Sequence, residues 1–377
     1  MENEIRPQNA ILFVIDSLRR DAVGAYGNAM AATPRIDEMA ERGVVFDNAF
    51  IGSFPCMPAR RDIWTGRYEF PWRGWGPLEE GETTLPGLLS QHGVLTQLIT
   101  DHYHLWERGA GNYHHDFDGA EFIRGQENDR WMAARYDSPE LDVDASKVAG
   151  HARFRDSLGR YSENTRGRSG EAAYFAPRVM QRVIDWLEPS PSKEGFFLLV
   201  DCFDPHEPFD PPPEFAEMYV DDDAPLNPWP TYGTTDKYSS AELDTIRGLY
   251  AAEVTMVDKW LGMVMDRLDD LELADRTLVI VISDHGHLFG EHGLLGKPWT
   301  GIADPNLYDE LARIPLIMVD PTQHSPGDRR LELVQPVDLL PTILGWFGLP
   351  QETNAHGLDL RTLGRDNAGR REYAFFG

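Results

Sequence analysis

The sequence predicts an α/β fold, with a mainly parallel central sheet and helices on both faces. Strand-like runs recur along the chain, and an aspartate directly follows five of them: residues 10–15, 94–100, 196–200, 277–283 and 314–319. Continuous apolar runs such as 10–15 are typical of parallel strands that are buried on both faces. Helical patterns separate the runs, and this alternation indicates a parallel sheet covered by helices.

Capping residues mark where helices begin. Thr33 suits an N-cap with Pro34 at the first helical position, and Ser239 can form a capping box with Glu242. Pro58 suits the first turn of another helix, which would end near residue 65. The other predicted helices are residues 33–43, 84–91, 177–187, 239–268 and 337–347, and a short strand is predicted at 44–46.

Two long segments lack these signals. Residues 107–170 are polar with weak periodicity, and we interpret them as an insertion or cap of loops and short helices. Residues 205–236 are proline-rich and acidic, and a loop of this length in a compact domain is usually functional. We therefore predict one catalytic domain over 1–365 with an active-site loop at 205–236, followed by a strand that is just beginning within 366–377.

The composition excludes several classes of protein. The 377 residues carry 35 basic against 62 acidic side chains, a net charge of −27, which argues against nucleic acid or an anionic membrane as the main partner. The N-terminus has no apolar signal-peptide region, and no run reaches the roughly 18 apolar residues that span a bilayer. We expect a cytoplasmic protein. Two cysteines, Cys56 and Cys202, allow no disulfide framework and no Cys-x-x-Cys zinc site.

One of these cysteines is in a chemically distinctive segment. Cys56 precedes Pro58 by two residues and Arg60 by four. If Pro58 lies in the first helical turn, Cys56 lies at the helix N-terminus, where free N–H groups and the helix dipole favour negative charge. Arg60 is one turn further on and can reach the same place. The segment therefore predicts a reactive position directed at an anion.

Polar residues gather where the predicted strands end. Ligands of open parallel sheets bind at the carboxyl ends of the strands. A single aspartate at a strand end is weak evidence, because aspartate favours turns. Here, however, histidines and a lysine accompany the aspartates at several strand ends. The residues concerned are Asp16, Asp101, His102, His104, Asp201, His206, Asp284, His285 and Lys297. Asp16, Asp284 and His285 have the character of divalent-metal ligands, and the imidazole favours Mn²⁺ or another borderline metal.

The segment Cys56-x-Pro58-x-Arg60 resembles the signature of the type I sulfatases, with Ala59 where serine is usual. Residues 15–19 and 283–286 look like the two metal motifs of that family, and the resemblance extends to about residue 350. It implies an alkaline-phosphatase/sulfatase-like fold and a formylglycine made from Cys56. It also implies one divalent metal ion, Ca²⁺ or Mn²⁺, held by Asp16, Cys56, Asp284 and His285. The family usually has a small C-terminal sheet subdomain, so 366–377 would be the start of a truncated one.

The same resemblance implies roles for the remaining residues. His104 would take the proton from the formylglycine hydrate, and His206 would bind the sulfate or protonate the leaving oxygen. Lys297 would bridge a sulfate oxygen and the formylglycine, and Arg60 would stabilise charge on the equatorial oxygens. His102 stands where the family has lysine, and it either binds the anion when protonated or packs behind the site. Tryptophans in predicted loops, Trp75 among them, could stack on a substrate ring or simply pack on the surface.

We therefore expect a metal-dependent sulfatase acting on a small sugar sulfate or aryl sulfate, with a formylglycine-generating enzyme as its maturation partner. Two alternatives stay open. Ser17, where many sulfatases have a second aspartate, and His285 resemble the metal set of phosphonate monoester and phosphodiester hydrolases of the same superfamily. If Cys56 is never modified, the chain would instead be an inactive binding protein with a sulfatase fold. The oligomeric state is unknown.

Overall fold

The computed structural model describes residues 9–27, 30–133, 147, 152–188, 195–224, 227–297, 306–323, 326–363 and 371–377. Its strands are β1 (Asn9–Ile15), β2 (Val44–Ala49), β3 (Leu95–Thr100), β4 (Gly119–Phe122), β5 (Phe196–Cys202), β6 (Gly233–Thr234), β7 (Thr277–Ser283), β8 (Leu288–Phe289), β9 (Leu294–Gly296), β10 (Leu316–Val319) and β11 (Asp328–Val334). Its α-helices are α1 (Pro34–Arg42), α2 (Cys56–Thr65), α3 (Leu85–Gln91), α4 (Ala152–Asn164), α5 (Phe175–Leu187), α6 (Pro213–Ala216), α7 (Ser240–Asp270), α8 (Asp309–Ala312) and α9 (Leu339–Trp346).

Eight of these strands form one sheet in the order β11-β2-β10-β7-β1-β5-β3-β4. The strands from β7 to β4 are mutually parallel, which confirms the predicted mainly parallel sheet. β10 is antiparallel to both of its neighbours. β1 lies between β5 and β7, with Ile15 beside Cys202 on one side and beside Ser283 on the other. The carboxyl ends of these three strands therefore meet at one edge.

Helices cover both faces of this sheet, as predicted. One apolar cluster contains residues of α1, α5 and α7, and the other contains residues of α2, α3 and α9. Ser239 and Glu242 form the predicted capping box of α7. The helix that was predicted around Pro58 begins at Cys56 and ends at Thr65. Gly66 follows it, and its φ of 66° is the left-handed conformation that suits glycine.

Two edge strands were not predicted. β4 lies within the segment that we interpreted as a cap and pairs with β3, so part of that segment belongs to the central sheet. β11 pairs with β2 at the opposite edge. Both strands are half-exposed and carry charged side chains, so they lack the continuous apolar composition of the buried strands. The loop at 205–236 contains α6 and β6, and residues 225–226 lie outside the described part.

The last residues of the chain lie against the segment that precedes Cys56. The predicted boundary at 365 lies outside the described residues, and 371–377 do not form a regular strand. Instead, the Phe54 N–H donates to the carbonyl of Gly377 at 2.9 Å, and the Gly377 N–H donates to the carbonyl of Gly52 at 3.1 Å. No helix among the described residues is long and apolar enough to cross a membrane.

Candidate active site

Three buried carboxylates converge at the edge where β1, β5 and β7 end. Asp16 follows β1, Asp201 lies near the end of β5, and Asp284 follows β7, each with no solvent exposure. This is the convergence that the positions of these residues predicted. Buried charges require partners, because an isolated carboxylate in a low-dielectric interior is very costly. The neighbours of the three carboxylates therefore define the site.

Arg60, in the second turn of α2, is the main cationic partner of the three carboxylates. Its guanidinium donates to both oxygens of Asp201 at 2.7 and 2.8 Å, to Asp284 at 2.5 Å and to the carbonyl of Cys56 at 3.1 Å, and it lies 3.0 Å from Asp16. Burial alone would lower the pKa of Arg60, but the three carboxylates raise it well above its usual value. We had expected Arg60 to contact substrate oxygens, whereas here it serves as the counter-ion of the carboxylates.

The donor atoms of Asp16, Cys56, Asp284 and His285 all lie within 4.8 Å of one another. The Nδ1 of His285 is 2.9 Å from the carbonyl of Gly286, so Nδ1 carries the proton and the lone pair of Nε2 faces the Cys56 Sγ at 3.1 Å. The four predicted ligands are thus together, with an imidazole nitrogen free to bind a cation. Three carboxylates against one guanidinium also leave an excess of negative charge, which a divalent cation would offset. The site therefore fits a divalent metal ion.

The Cys56 thiol is a poor nucleophile in this environment. Its side chain is 3% exposed, at the start of α2. Burial and the nearby Asp16 carboxylate raise the pKa of the Cys56 thiol well above its usual value. The thiolate, not the thiol, is the reactive form of cysteine. As an unmodified residue, Cys56 is therefore suited to packing rather than to nucleophilic attack.

His102 lies behind the site. Its Nε2 is 3.1 Å from Asp16 Oδ2, and the ring has no solvent exposure. Burial, with the Arg60 charge as a further cause, holds the pKa of His102 well below its usual range, so the ring is neutral and donates from Nε2. Of the two alternatives for His102, this geometry matches packing behind the site, where the ring orients Asp16, and not binding of an anion.

Lys297 follows β9 and reaches the same carboxylates through Ser17. The Lys297 Nζ donates to the Ser17 Oγ at 3.1 Å, and the Ser17 Oγ donates to Asp16 at 2.7 Å. The Ser17 backbone N–H donates to Asp284 at 2.9 Å, and its φ of 60° is unusual for a residue other than glycine. Lys297 also lies 3.5 Å from Glu207. Ser17 thus links the ammonium group to two predicted metal ligands, a connection that the sequence motif did not reveal.

His206 and His104 have opposite protonation preferences. Burial and the Lys297 charge lower the pKa of His206 to about 3, and its Nδ1 is 2.6 Å from the carbonyl of Glu207. The ring is therefore neutral, with the lone pair on Nε2. Burial alone would also lower the pKa of His104, but the adjacent Glu107 and Glu127 carboxylates raise it to about 9. His104 is consequently protonated at neutral pH, with Nδ1 2.5 Å from Glu107.

We expect Glu107→Gln to lower the pKa of His104 toward its usual 6.5. Because the pKa of His104 is raised in the folded protein, its contribution to stability is full below about pH 6.5 and is lost as the pH rises through about 9. The variant should therefore lose stability at neutral pH but change little at pH 10. The measurement is an NMR titration of the histidine ring signals with parallel denaturant unfolding, and Glu80→Gln is the exposed control. An unchanged His104 titration in Glu107→Gln would contradict this assignment.

Several residues at the site have no sequence motif of their own. They are Glu107, Glu127, Glu207, Tyr232 and His287, and Tyr232 donates to Glu207. The Nδ1 of His287 lies 3.8 Å from the Glu207 Oε2. Glu207 has a usable signal, since it directly follows His206 in a predicted active-site loop. Glu127 has none, because it lies in a polar segment without periodicity.

A family model described as Sulfatase matches residues 8–349. An arylsulfatase of Clostridium perfringens is 26% identical over 97% of this chain and 80% of its own length. Among solved structures, the phosphonate monoester hydrolase of Agrobacterium radiobacter superposes with a TM-score of 0.74 at 21% identity, over 98% of this chain and 80% of that one. The protein BT4656, solved with its substrate D-glucosamine-2-N,6-O-disulfate, gives 0.71 at 18% identity, over 97% and 82%. At these identities the solved structures support the fold alone.

Proposed function

This chain belongs to the sulfatase family, and from that membership we propose that it hydrolyses a sulfate ester by means of a formylglycine made from Cys56. The observation that carries the proposal is the position of Cys56. It is the first residue of α2 and lies among the buried ligands Asp16, Asp284 and His285, yet its own thiol is protonated. A cysteine held in this place without nucleophilic reactivity is explained if it is the precursor of another group.

Two groups would complete the site. A formylglycine at position 56 would supply, as its hydrate, a hydroxyl nucleophile. A divalent cation held by Asp16, Asp284, His285 and residue 56 would supply Lewis-acid charge next to the ester. We propose Ca²⁺ or Mn²⁺, and the imidazole of His285 favours Mn²⁺. Arg60 and His102 would hold the carboxylate ligands in place from behind, since both bond to Asp16.

Side chains of the protein would supply sulfate binding and proton transfer. Lys297 is charged and nearly fully buried, so it can bind a sulfate oxygen in a region of low dielectric. His104 holds a proton at neutral pH and suits the donor to the leaving oxygen, while neutral His206 can accept a proton at Nε2. This division reverses the roles of the two histidines that the family resemblance implied.

Hydrolysis of a phosphonate monoester or phosphodiester is the second candidate. Two observations favour it: Ser17 replaces a second acidic ligand, and His285 supplies an imidazole. A relative from Trinickia caryophylli that is 24% identical over 90% of this chain is described as a multifunctional alkaline phosphatase superfamily protein. These substrates carry one negative charge at the reacting group, as sulfate esters do, so the same site could bind both.

The test begins with mass spectrometry of the tryptic peptide 43–60 from protein co-expressed with a formylglycine-generating enzyme. We expect the mass change in which oxygen replaces sulfur with loss of two hydrogens. The matured protein should then release sulfate from 4-nitrophenyl sulfate with a higher kcat/KM than for a phosphodiester or a phosphonate monoester. The opposite ranking would establish the second candidate. Unmodified Cys56 under these conditions would overturn the proposal and favour a binding protein.

A further inference from the structure

Two features of Glu127 are energetically unfavourable, its burial and its backbone conformation. Its side chain is nearly buried, at 7% exposure of the residue, and its Oε2 has no hydrogen-bond partner among the described residues. Its φ of 42° is in the left-handed region, which a residue with a side chain adopts reluctantly. A buried unpaired carboxylate oxygen costs about 1–3 kcal/mol, and a strained backbone costs a similar amount. Such unfavourable features are concentrated at functional sites, where binding of a ligand can offset their free-energy cost.

The Oε2 of Glu127 lies next to a predicted catalytic histidine. It lies 3.5 Å from the His104 Nε2, and the His104 ring is 5.3 Å from the His102 ring, which bonds to Asp16. The Glu127 charge also acts on His206 and on Tyr232, whose ring centroid lies 5.7 Å from the Lys297 Nζ, so Glu127 lies on the side of the site that the predicted anion-binding residues occupy. An ester bound at the metal ligands and Lys297 would place its alcohol half along the path from Lys297 past His206 to Glu127.

Trp75 borders His104 on its solvent side. The Trp75 and His104 rings meet edge to face, with centroids 4.7 Å apart. Trp75 is 42% exposed, whereas the His104 side chain is 13% exposed, so the path opens from a buried end to solvent at the tryptophan. An indole face that is open to solvent beside a hydrogen-bonding site can stack on a ring of similar width.

We infer that Glu127 and Trp75 select the alcohol half of the substrate, and that this half is a sugar ring with a free hydroxyl or amino group close to the ester. Glu127 would accept a hydrogen bond from that group, and Trp75 would stack on the apolar face of the ring. The inference rests on the proposed sulfatase function and narrows it from aryl or sugar sulfates to sugar sulfates.

The carboxylates around His104 favour a substrate with a hydrogen-bond donor and disfavour a substrate with additional anionic groups. A carboxylate only accepts hydrogen bonds, so the Glu127 Oε2, which has the charge of His104 nearby but no hydrogen bond, calls for a donor, and a plain aryl group has none. Glu107, Glu127 and Glu207 all lie close to the cations of the site, at His104 and Lys297. Further anionic groups on the sugar would meet these carboxylates, so we expect a neutral or amino sugar that carries a single sulfate to bind better than a polysulfated one.

Binding can be tested without turnover in protein that is produced without a formylglycine-generating enzyme, so that Cys56 is present but unmodified. Calorimetry would compare glucosamine 6-sulfate, glucose 6-sulfate and 4-nitrophenyl sulfate in the presence of Mn²⁺. Glu127→Gln should weaken binding of the sugar sulfates by about 10- to 100-fold, the effect of losing a hydrogen bond to a charged group. Binding of 4-nitrophenyl sulfate should change less than about 3-fold, because its ring offers no donor. Trp75→Ala should also weaken binding of the sugar sulfates.

The controls separate recognition from folding. Trp72 is three residues from Trp75 and 71% exposed, and it lines a cavity of about 450 Å³ that none of the predicted site residues borders. Trp72→Ala should therefore leave all three affinities unchanged. Glu127→Gly relieves the backbone strain but also removes the carboxylate beside protonated His104, so we expect little net change in the unfolding temperature together with a loss of sugar selectivity. In the matured enzyme, Glu127→Gln should lower kcat/KM for sugar sulfates selectively.

The outcomes distinguish this inference from the proposed function. Equal weakening of sugar and aryl esters by Glu127→Gln, or no weakening of either, would overturn the selective role of Glu127. Tight binding of 4-nitrophenyl sulfate without binding of any sugar sulfate would overturn the sugar assignment and leave the sulfatase proposal intact. Binding of neither class would overturn the sulfate site itself, and this inference with it.

Discussion

Replacing Arg60 with methionine should destabilise the fold by about 3–5 kcal/mol, because the substitution leaves Asp16, Asp201 and Asp284 without their buried cation. All three carboxylates and the guanidinium are fully buried, so solvent cannot take over the role of the lost partner. Urea unfolding in a metal-free buffer measures the loss. Added Mn²⁺ should restore more stability to the variant than to the wild type, since the carboxylates have then lost their main counter-ion.

Arg61→Met is the matched control for this prediction. Arg61 is also buried, but its partner Glu82 is partly exposed and water can solvate it when the arginine is lost. We therefore expect a smaller loss of stability, and no gain in the response to Mn²⁺. Equal losses in the two variants would show that burial of the arginine stem matters more than the charge cluster. A variant at position 60 with wild-type stability would contradict the role of counter-ion.

Replacing Cys56 with alanine should lower kcat for sulfate release by a factor on the order of 10⁴ to 10⁶, as removal of an essential nucleophile does. The other cysteine provides the control. Cys202 is the last residue of β5, fully buried, and like Cys56 it forms no disulfide. Cys202→Ala should lose some stability by leaving a small cavity but should retain kcat. Comparable losses of activity in both variants would contradict a special role for Cys56, and substantial activity in Cys56→Ala would exclude it as the nucleophile.

The parts of the site that could be predicted have local sequence signals. Asp16 and Asp284 directly follow continuous apolar runs, and such runs identify buried parallel strands without knowledge of the rest of the fold. Since parallel strands end at a common edge, their proximity followed from the strand assignment. Cys56 and Arg60 belong to one short helix, so their spacing alone placed them together.

The parts that could not be predicted depend on tertiary structure. The composition of β10 indicates a strand but not its direction, and the chain traces this strand antiparallel to its neighbours. The orientation of Arg60 is set by three carboxylates from three strands, and the lateral order of strands is not a local property. Glu127 is the extreme case, because its place beside His104 depends on a left-handed backbone within a segment that has no periodic pattern.

The separation in sequence between Cys56 and its surroundings has a consequence for synthesis on the ribosome. Arg60 precedes Asp201 by 141 residues and Asp284 by 224 residues. At about 5–20 residues per second, roughly 10 to 45 s pass between emergence of the cysteine segment and emergence of the last carboxylate that encloses it. During that interval the segment cannot be buried in its final environment. A modifying enzyme would have access to the nascent chain that the folded protein, with Cys56 3% exposed, no longer offers.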